Sequence, residues 1–315
     1  MSTVHQESTV HQKGTGLQWG RDYLMVEPNH FRVDYAINPF MDLNDQPEPL
    51  HTRAEWLAVV AAIEAAGGRV QVLPQLPDAP DMVYAMNLGL ALESVKDAGD
   101  PDVALDRRVV LSHMRYAQRR METPAAEGWF AANGFTSKSV GRDGVGAHFE
   151  AGDAFAWRGE LVVGFGPRTE ELALKHLATD LGVSVQGFRI TNPGMYHMDL
   201  GFCPLDDTRA MVCPAAYDDA SAAALLALVP EPLVLTEEEA MTFCANSIVV
   251  GRTIVMPACP DRVRAQLEEW GFEIVIVEVG EFLKGGGAIR CMTNPLDVRI
   301  GRDLAPVPGG RVTLA

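Results

Sequence analysis

Five residues able to do polar chemistry recur along the chain at similar spacing: Asn87, Glu150, His197, Asn246 and Cys291, separated by 63, 47, 49 and 45 residues. The last stands in "KGGGAIRCMTNPL", residues 284–296, where three glycines precede a lone thiol. Gly285, Gly286 and Gly287 give the backbone conformations closed to other residues and let it pass close to a neighbour. A cysteine attacks as thiolate and needs a neighbour or ligand that lowers its pKa. A histidine moves protons near neutral pH. Glu150 and Asp153 of "FEAGDAF" offer carboxylates to a cation. A guanidinium presents a planar fork of donors that carboxylates meet with paired hydrogen bonds. Together these residues suit covalent catalysis on a cationic substrate, and the cation itself would favour the thiolate.

The elements that must position them repeat as well. Each unit reads as helix, strand, turn and second short strand. The first opens with Thr52 and Glu55 as a capping box, continues as a helix with Trp56, Val59, Val60 and Ile63 on one face, and stops at Gly67–Gly68. "RVQVLP" follows as a strand. Later units pair "PAAEGWFAANGF" with "TSKSV", "TEELALKHLATDLG" with "VSVQGFRI", "DDASAAALLALV" with "PLVLT", and "CPDRVRAQLEEWG" with "FEIVIVEV". Each unit closes on one of the five polar residues, expected within an apolar or glycine-rich strand. Self-similarity at this period marks a repeat architecture. Five small α/β units with equivalent polar positions imply a closed ring with those residues at its centre.

Composition narrows the function. The 315-residue chain is 47% hydrophobic, enough for a large core, and carries a net charge of −16. Such acidity disfavours nucleic acid as a partner, because phosphate binding needs basic surface, and mildly favours cationic small molecules. No apolar run is long enough to span a bilayer, and the polar start is not a secretory signal, so a cytoplasmic location is expected. The five cysteines (Cys203, Cys213, Cys244, Cys259 and Cys291) are odd in number and show no CxxC spacing. Reduced thiols are therefore expected, without a disulfide framework or zinc cluster. No cofactor and no metal site is expected. "STVHQESTVHQKGTG" repeats STVHQ and has little to bury, so residues 1–19 read as a disordered tail and 20–315 as a single catalytic domain. Whether the chain forms a homo-oligomer stays open.

Together "FEAGD", "HMD" and "GGGAIRC" resemble the guanidino-group-modifying enzymes, the amidinotransferase or pentein superfamily, in order and spacing over roughly residues 20–305. "YLMVEPNHFRVDYAINPFM", with Asn38 near its end, is similar to the opening of the small bacterial hydrolase branch. The resemblance implies a five-bladed α/β propeller with five-fold pseudosymmetry. It implies Cys291 as nucleophile, His197 as general acid/base and Glu150 as the glutamate of an E-G-G-D motif whose first glycine is here Ala151. It also implies substrate contacts from Asp153, Asp199, Asn38 and Arg115, the last in "SHMRYAQRRME", which partly matches a loop that closes over the amino-acid end of the substrate. Asn87 departs from the pattern, since deiminases carry a carboxylate there, and a branch with asparagine resembles the arginine and succinylarginine dihydrolases. An amide can both donate and accept, so it suits a neutral ureido intermediate. The reading is a cysteine-dependent hydrolase of the guanidino C–N bond of arginine or a derivative. The alternatives are an amidinotransferase and, outside catalysis, a translation-factor-like member, which should lack the Cys, His and Glu set.

Overall fold

A computed structural model describes residues 15–95, 105–142 and 145–315. Among them lie five sheets of three or four strands and one two-stranded pair. Each of the five holds the same core: two antiparallel strands, then a third parallel to the second. In the second sheet Gly89–Val95 and Leu105–Leu111 form the antiparallel pair, and Phe135–Ser139 returns parallel after the helix Glu122–Ala132. The third joins Ala154–Trp157, Glu160–Phe165 and Ser184–Arg189 around Glu171–Leu181. The fourth joins Phe202–Pro204, Arg209–Val212 and Glu231–Val234 around Asp219–Leu228. The fifth joins Ile248–Val250, Thr253–Met256 and Glu273–Ile276 around Asp261–Glu269. A parallel return needs a crossover, and the amphipathic helix supplies it while covering the sheet.

The first sheet takes its strands from both ends of the chain. Asp22–Val26 runs parallel to Arg69–Leu73, and its antiparallel neighbour is Asn294–Pro295. Asn294 strengthens that pairing. Its Nδ2 donates to the carbonyls of Ala85 and Gly89 at 3.0 and 2.7 Å, tying the segment after Cys291 to the turn that carries Asn87.

Three local expectations change. The first helix spans Pro49–Ala65 and is capped by Glu48, whose carboxylate accepts from His51 N–H. Pro49 sits at its first turn, where its missing N–H costs nothing. Thr52 therefore lies inside the helix, its hydroxyl turned to the Glu48 carbonyl, and Glu55 receives the N–H of Glu281 instead of closing a capping box. The tail expected over residues 1–19 is also shorter at its end, because Leu17 and Trp19 are buried and the Trp19 indole donates to the Ala156 carbonyl. Residues 1–14 lie outside the described residues.

The third change concerns the recurring polar residues. None of them lies within a strand. Asn87 and Cys291 sit in single helical turns, Ala85–Leu88 and Ile289–Met292. Glu150 and His197 immediately precede the turns Ala151–Asp153 and Met198–Leu200. Asn246 stands just ahead of Ile248–Val250. A turn frees these backbone groups from the ladder. Among the described residues no helix is long and apolar enough to cross a membrane.

Candidate active site

The turns ahead of the strands place Asn87, His197 and Cys291 on one pocket. Ile37, Asn38, Asp81, Tyr84, Arg119, Arg168, Tyr196, Gly285 and Gly287 complete its lining.

The glycine run explains how a backbone reaches this point. A Cβ on Gly285 would stand 2.1 Å from the Tyr84 hydroxyl, and one on Gly286, at φ +86°, would stand 2.5 Å from Asn38 Oδ1. On Gly287 it would meet the Tyr84 ring at 2.5 Å. The same side chains hold the loop: the Tyr84 hydroxyl donates to the Phe282 carbonyl at 2.7 Å, Tyr196 to Gly286 at 2.5 Å, and Asn38 to Gly285 at 3.0 Å. Three side-chain-free residues thus let the loop lie against two tyrosines and deliver Cys291 beyond them.

Glu150 is wholly buried and fully engaged. Its Oε2 takes the Arg168 guanidinium at 2.9 Å and His197 Nε2 at 2.8 Å, and its Oε1 takes the N–H of Arg115 at 2.9 Å. Burial alone would raise this carboxyl, but Arg168 and then His197 outweigh it and hold it well below the usual carboxylate range. Ionised Glu150 places the neutral imidazole's proton on Nε2, which leaves Nδ1 with the lone pair. Arg168 is itself stacked between the rings of Tyr116 and Tyr196, 4.8 and 4.5 Å away, and donates to the Ile37 carbonyl.

Cys291 Sγ lies 3.2 Å from Asn246 Nδ2 and 3.5 Å from Asp199 Oδ2. Burial, and next the Asp199 carboxylate, push the thiol well above its ordinary range, so at rest it keeps its proton. Burial raises Asp199 also.

Gly152 faces the space between these groups. A Cβ there would stand 2.9 Å from Asn87 Oδ1, 3.1 Å from Asp199 Oδ2 and 3.4 Å from His197 Nδ1. Asn87 Oδ1 accepts the Gly152 N–H at 2.9 Å. Only this second glycine of the motif is sterically required, which accounts for Ala151 at the first position.

Two expected contacts fall elsewhere. Asp153 does not line the pocket: its Oδ1 accepts the Met198 N–H at 2.8 Å, so it anchors the His197 turn from behind. The Arg115 guanidinium is about half exposed beside Glu170, and only its backbone N–H serves the site. The pocket arginine of that segment is Arg119, gripped by both oxygens of Glu122 at 2.8 Å. Sequence reasoning also missed Asp81, Arg168, Tyr84, Tyr196 and the hub position of Asn246. For Arg119 the signal was available, since Glu122 stands three residues on, at a spacing that lets the two side chains pair. Among the described residues no three His, Cys, Asp or Glu side chains gather to hold a metal ion.

Residues 27–298 match the family described as N,N dimethylarginine dimethylhydrolase, eukaryotic. The chain belongs to this dimethylarginine dimethylhydrolase family. It is 30% identical to an N(G),N(G)-dimethylarginine dimethylaminohydrolase of Mycobacterium tuberculosis, with 87% of this chain and 85% of that protein covered. It is 32% identical to a bifunctional arginine dihydrolase/ornithine cyclodeaminase of Synechocystis sp., covering 86% of this chain but 37% of that longer protein. The N-terminal domain of a cyanobacterial arginine dihydrolase, solved bound to product, superposes with a TM-score of 0.80 at 30% identity, covering 89% of this chain and 98% of that one. A variant of that domain is known covalently bound to a reaction intermediate. The dimethylarginine dimethylhydrolase family assigns this chain to the cysteine-dependent hydrolases of guanidino C–N bonds. These relatives lend no support to amidino transfer.

Gly152→Ala should cut turnover of a guanidino substrate at least about tenfold, because it fills the space between three polar groups, whereas Ala151→Gly should leave turnover within about twofold. Steady-state kinetics decide, and unchanged turnover in Gly152→Ala would remove that space from the site.

Asp153 offers a pH test. Burial raises its carboxyl to about 7. The folded state then binds its proton more tightly than the unfolded state, so its contribution to stability is present at low pH and lost as pH rises towards 7. Asp153→Asn removes that slope. In urea unfolding, the variant should gain stability relative to wild type between pH 5 and pH 8, and an identical pH dependence would contradict the assignment.

Proposed function

We propose that the protein hydrolyses the guanidino carbon of free arginine, or a close derivative, twice, releasing two ammonia molecules and leaving the δ-amine. The observation that carries this reading is Asn87, an amide in a pocket that also holds Cys291 and His197, the latter paired with the ionised Glu150 behind it. The pocket's charges match an amino acid: Arg119 and Arg168 suit a carboxylate, and buried Asp81 suits an ammonium. Similarity to both a dimethylargininase and an arginine dihydrolase supports the guanidino end.

The residues take these roles. The arriving cation pairs with Asp199 and favours transfer of the Cys291 proton to the His197 Nδ1 lone pair, so the substrate activates its own nucleophile. Sulfur bonds to the guanidino carbon, and that carbon then expels one nitrogen as ammonia, which receives a proton from His197 Nδ1. Water, deprotonated at the same nitrogen, adds to the amidino carbon. The carbon–sulfur bond breaks, leaving a ureido product. That product is neutral, and a carboxylate at position 87 could only accept from it. The Asn87 amide can also donate to the ureido oxygen and retain it for a second attack. The second round expels the other ammonia, and hydrolysis of the thiocarbamate gives a carbamate that falls to amine and carbon dioxide. The sum is arginine plus two water giving ornithine, two ammonia and carbon dioxide.

The five sheets are read as blades closed into a ring of pseudo-five-fold symmetry, an α/β propeller forming one catalytic domain. The repeated strand order and the pairing of Asn294–Pro295 with Asp22–Val26 support this closure. The family's name favours a second reading, one hydrolysis of a methylated arginine.

One experiment separates the two. Wild type is incubated with arginine, methylarginines and succinylarginine, and products are identified by mass. Two ammonia per arginine and no accumulated ureido product are expected. Asn87→Asp should release the ureido product early, shifting the partition several-fold, as expected when one hydrogen bond worth about 1 kcal/mol is lost. A wild type that stops at the urea, or equal product ratios in both proteins, overturns the two-step reading.

A further inference from the structure

Asn246 shares the phase of the four site residues, yet it is absent from the pocket lining and bears no ionisable group. Its contacts converge on one place. Oδ1 accepts the N–H of Ala288 at 3.1 Å and of Cys291 at 3.2 Å. Its backbone carbonyl accepts the N–H of Arg290 at 3.1 Å. Nδ2 donates to the Asp199 carbonyl at 3.1 Å and reaches Cys291 Sγ at 3.2 Å. The residue is wholly buried. Two backbone N–H donors fix which end of the amide is oxygen, so the nitrogen must face the sulfur.

We propose that Asn246 is the hydrogen-bond donor that stabilises the Cys291 thiolate and, through the same amide, sets the position of the sulfur relative to the reacting carbon. This rests on Cys291 being the nucleophile. The physical case is one of timing. A neutral thiol is a weak acceptor, whereas a thiolate is a strong one, and hydrogen bonds to charged groups are shorter and stronger than those between neutral groups. The Asn246 donor therefore gains most when the proton leaves, and it costs no reorganisation because three other hydrogen bonds already hold the amide. Asp199 takes the complementary part at rest, since its Oδ2 accepts from the neutral thiol. When the cationic substrate draws Asp199 away, Asn246 remains as the partner of the developing anion. It also holds Ala288, Arg290 and Cys291 at one point, fixing the approach that the glycine run makes possible.

The discriminating variant is Asn246→Asp. It keeps the acceptor for the Ala288 and Cys291 N–H groups but replaces the donor with an oxygen, and with it a negative charge, facing the sulfur. Asn246→Ser removes the donor without adding charge, so a raised midpoint in both variants is the expected result. Cys291 alkylation by iodoacetamide is followed by peptide mass analysis from pH 6 to 10, with guanidinium present as the cation. The other ionisable groups acting on Cys291 are Asp199, Tyr84, Tyr196 and Arg290, with His197 across the pocket, and all are retained. The midpoint of the alkylation profile should rise by about one pH unit or more, with about a tenfold slower reaction at pH 7. Turnover should fall by at least about tenfold with KM for arginine within about threefold, as for an interaction made after binding. Asn246→Ser, whose hydroxyl is too short to span both contacts, provides the same reading should the aspartate variant fail to fold. A folded variant with the wild-type alkylation profile overturns the proposal, even if its turnover is reduced, because a merely structural amide would not govern the thiol's acidity. Cys291→Ser is run alongside. Its inactivity, together with an unshifted Asn246→Asp profile, rejects the role of Asn246 alone. Activity in Cys291→Ser rejects the nucleophile and this inference with it.

Discussion

The Glu150 carboxylate lies wholly out of water and is met by a guanidinium, an imidazole and a backbone N–H, each within 2.9 Å. Much of the site depends on this cluster. A buried charge without partners would be untenable, and removing one partner of such a set costs about 3–5 kcal/mol. The cluster therefore fixes Arg168 between its two tyrosines, orients the His197 ring, and holds the third sheet's entry turn against the segment that follows Leu105–Leu111. One electrostatic constraint thus sets the histidine's proton position and the wall of the pocket at once.

The glycines work against that wall. Tyr84 and Tyr196 face the pocket beside Arg119 and Arg168, and the loop that carries Cys291 must pass against those rings. A chain with side chains at 285, 286 and 287 would be held off by an ångström or more. Gly152 applies the same rule on the opposite side, where a methyl group would occupy the space between Asn87, Asp199 and His197. Specific chemistry here needs residues that contribute nothing but room, placed opposite the polar side chains of the site.

Much of this was legible in the sequence, for physical reasons. The recurring helix and strand units follow from apolar periodicity, and the polar phase residues mark where each unit turns inward. Cys291, His197, Glu150 and Asn87 stood out because their neighbours are glycines or short motifs whose spacing is local. Arg168 and Asp81 did not, since the groups that give them meaning lie far along the chain and no local pattern links them. Arg115 and Arg119 show the limit sharply: both lie in "SHMRYAQRRME", and only the fold decides which one Glu122 draws inward. The capping motif at Thr52 was misplaced because Pro49 and Glu48 start the helix earlier. Asn246 was visible as a phase residue, but its use of both ends of one amide depends on the loop that returns from Ala288 to Cys291.

On the proposed role, this buried arrangement makes Cys291 the atom that bonds to a guanidino carbon. That role is tested most directly by intact and peptide mass analysis of protein quenched in acid during turnover with arginine. A transient adduct is expected on the peptide containing Cys291, carrying the guanidino carbon of the substrate and absent from the other four cysteines. Product formation with no adduct at any quench time, or an adduct on Cys203, Cys213, Cys244 or Cys259, would contradict it.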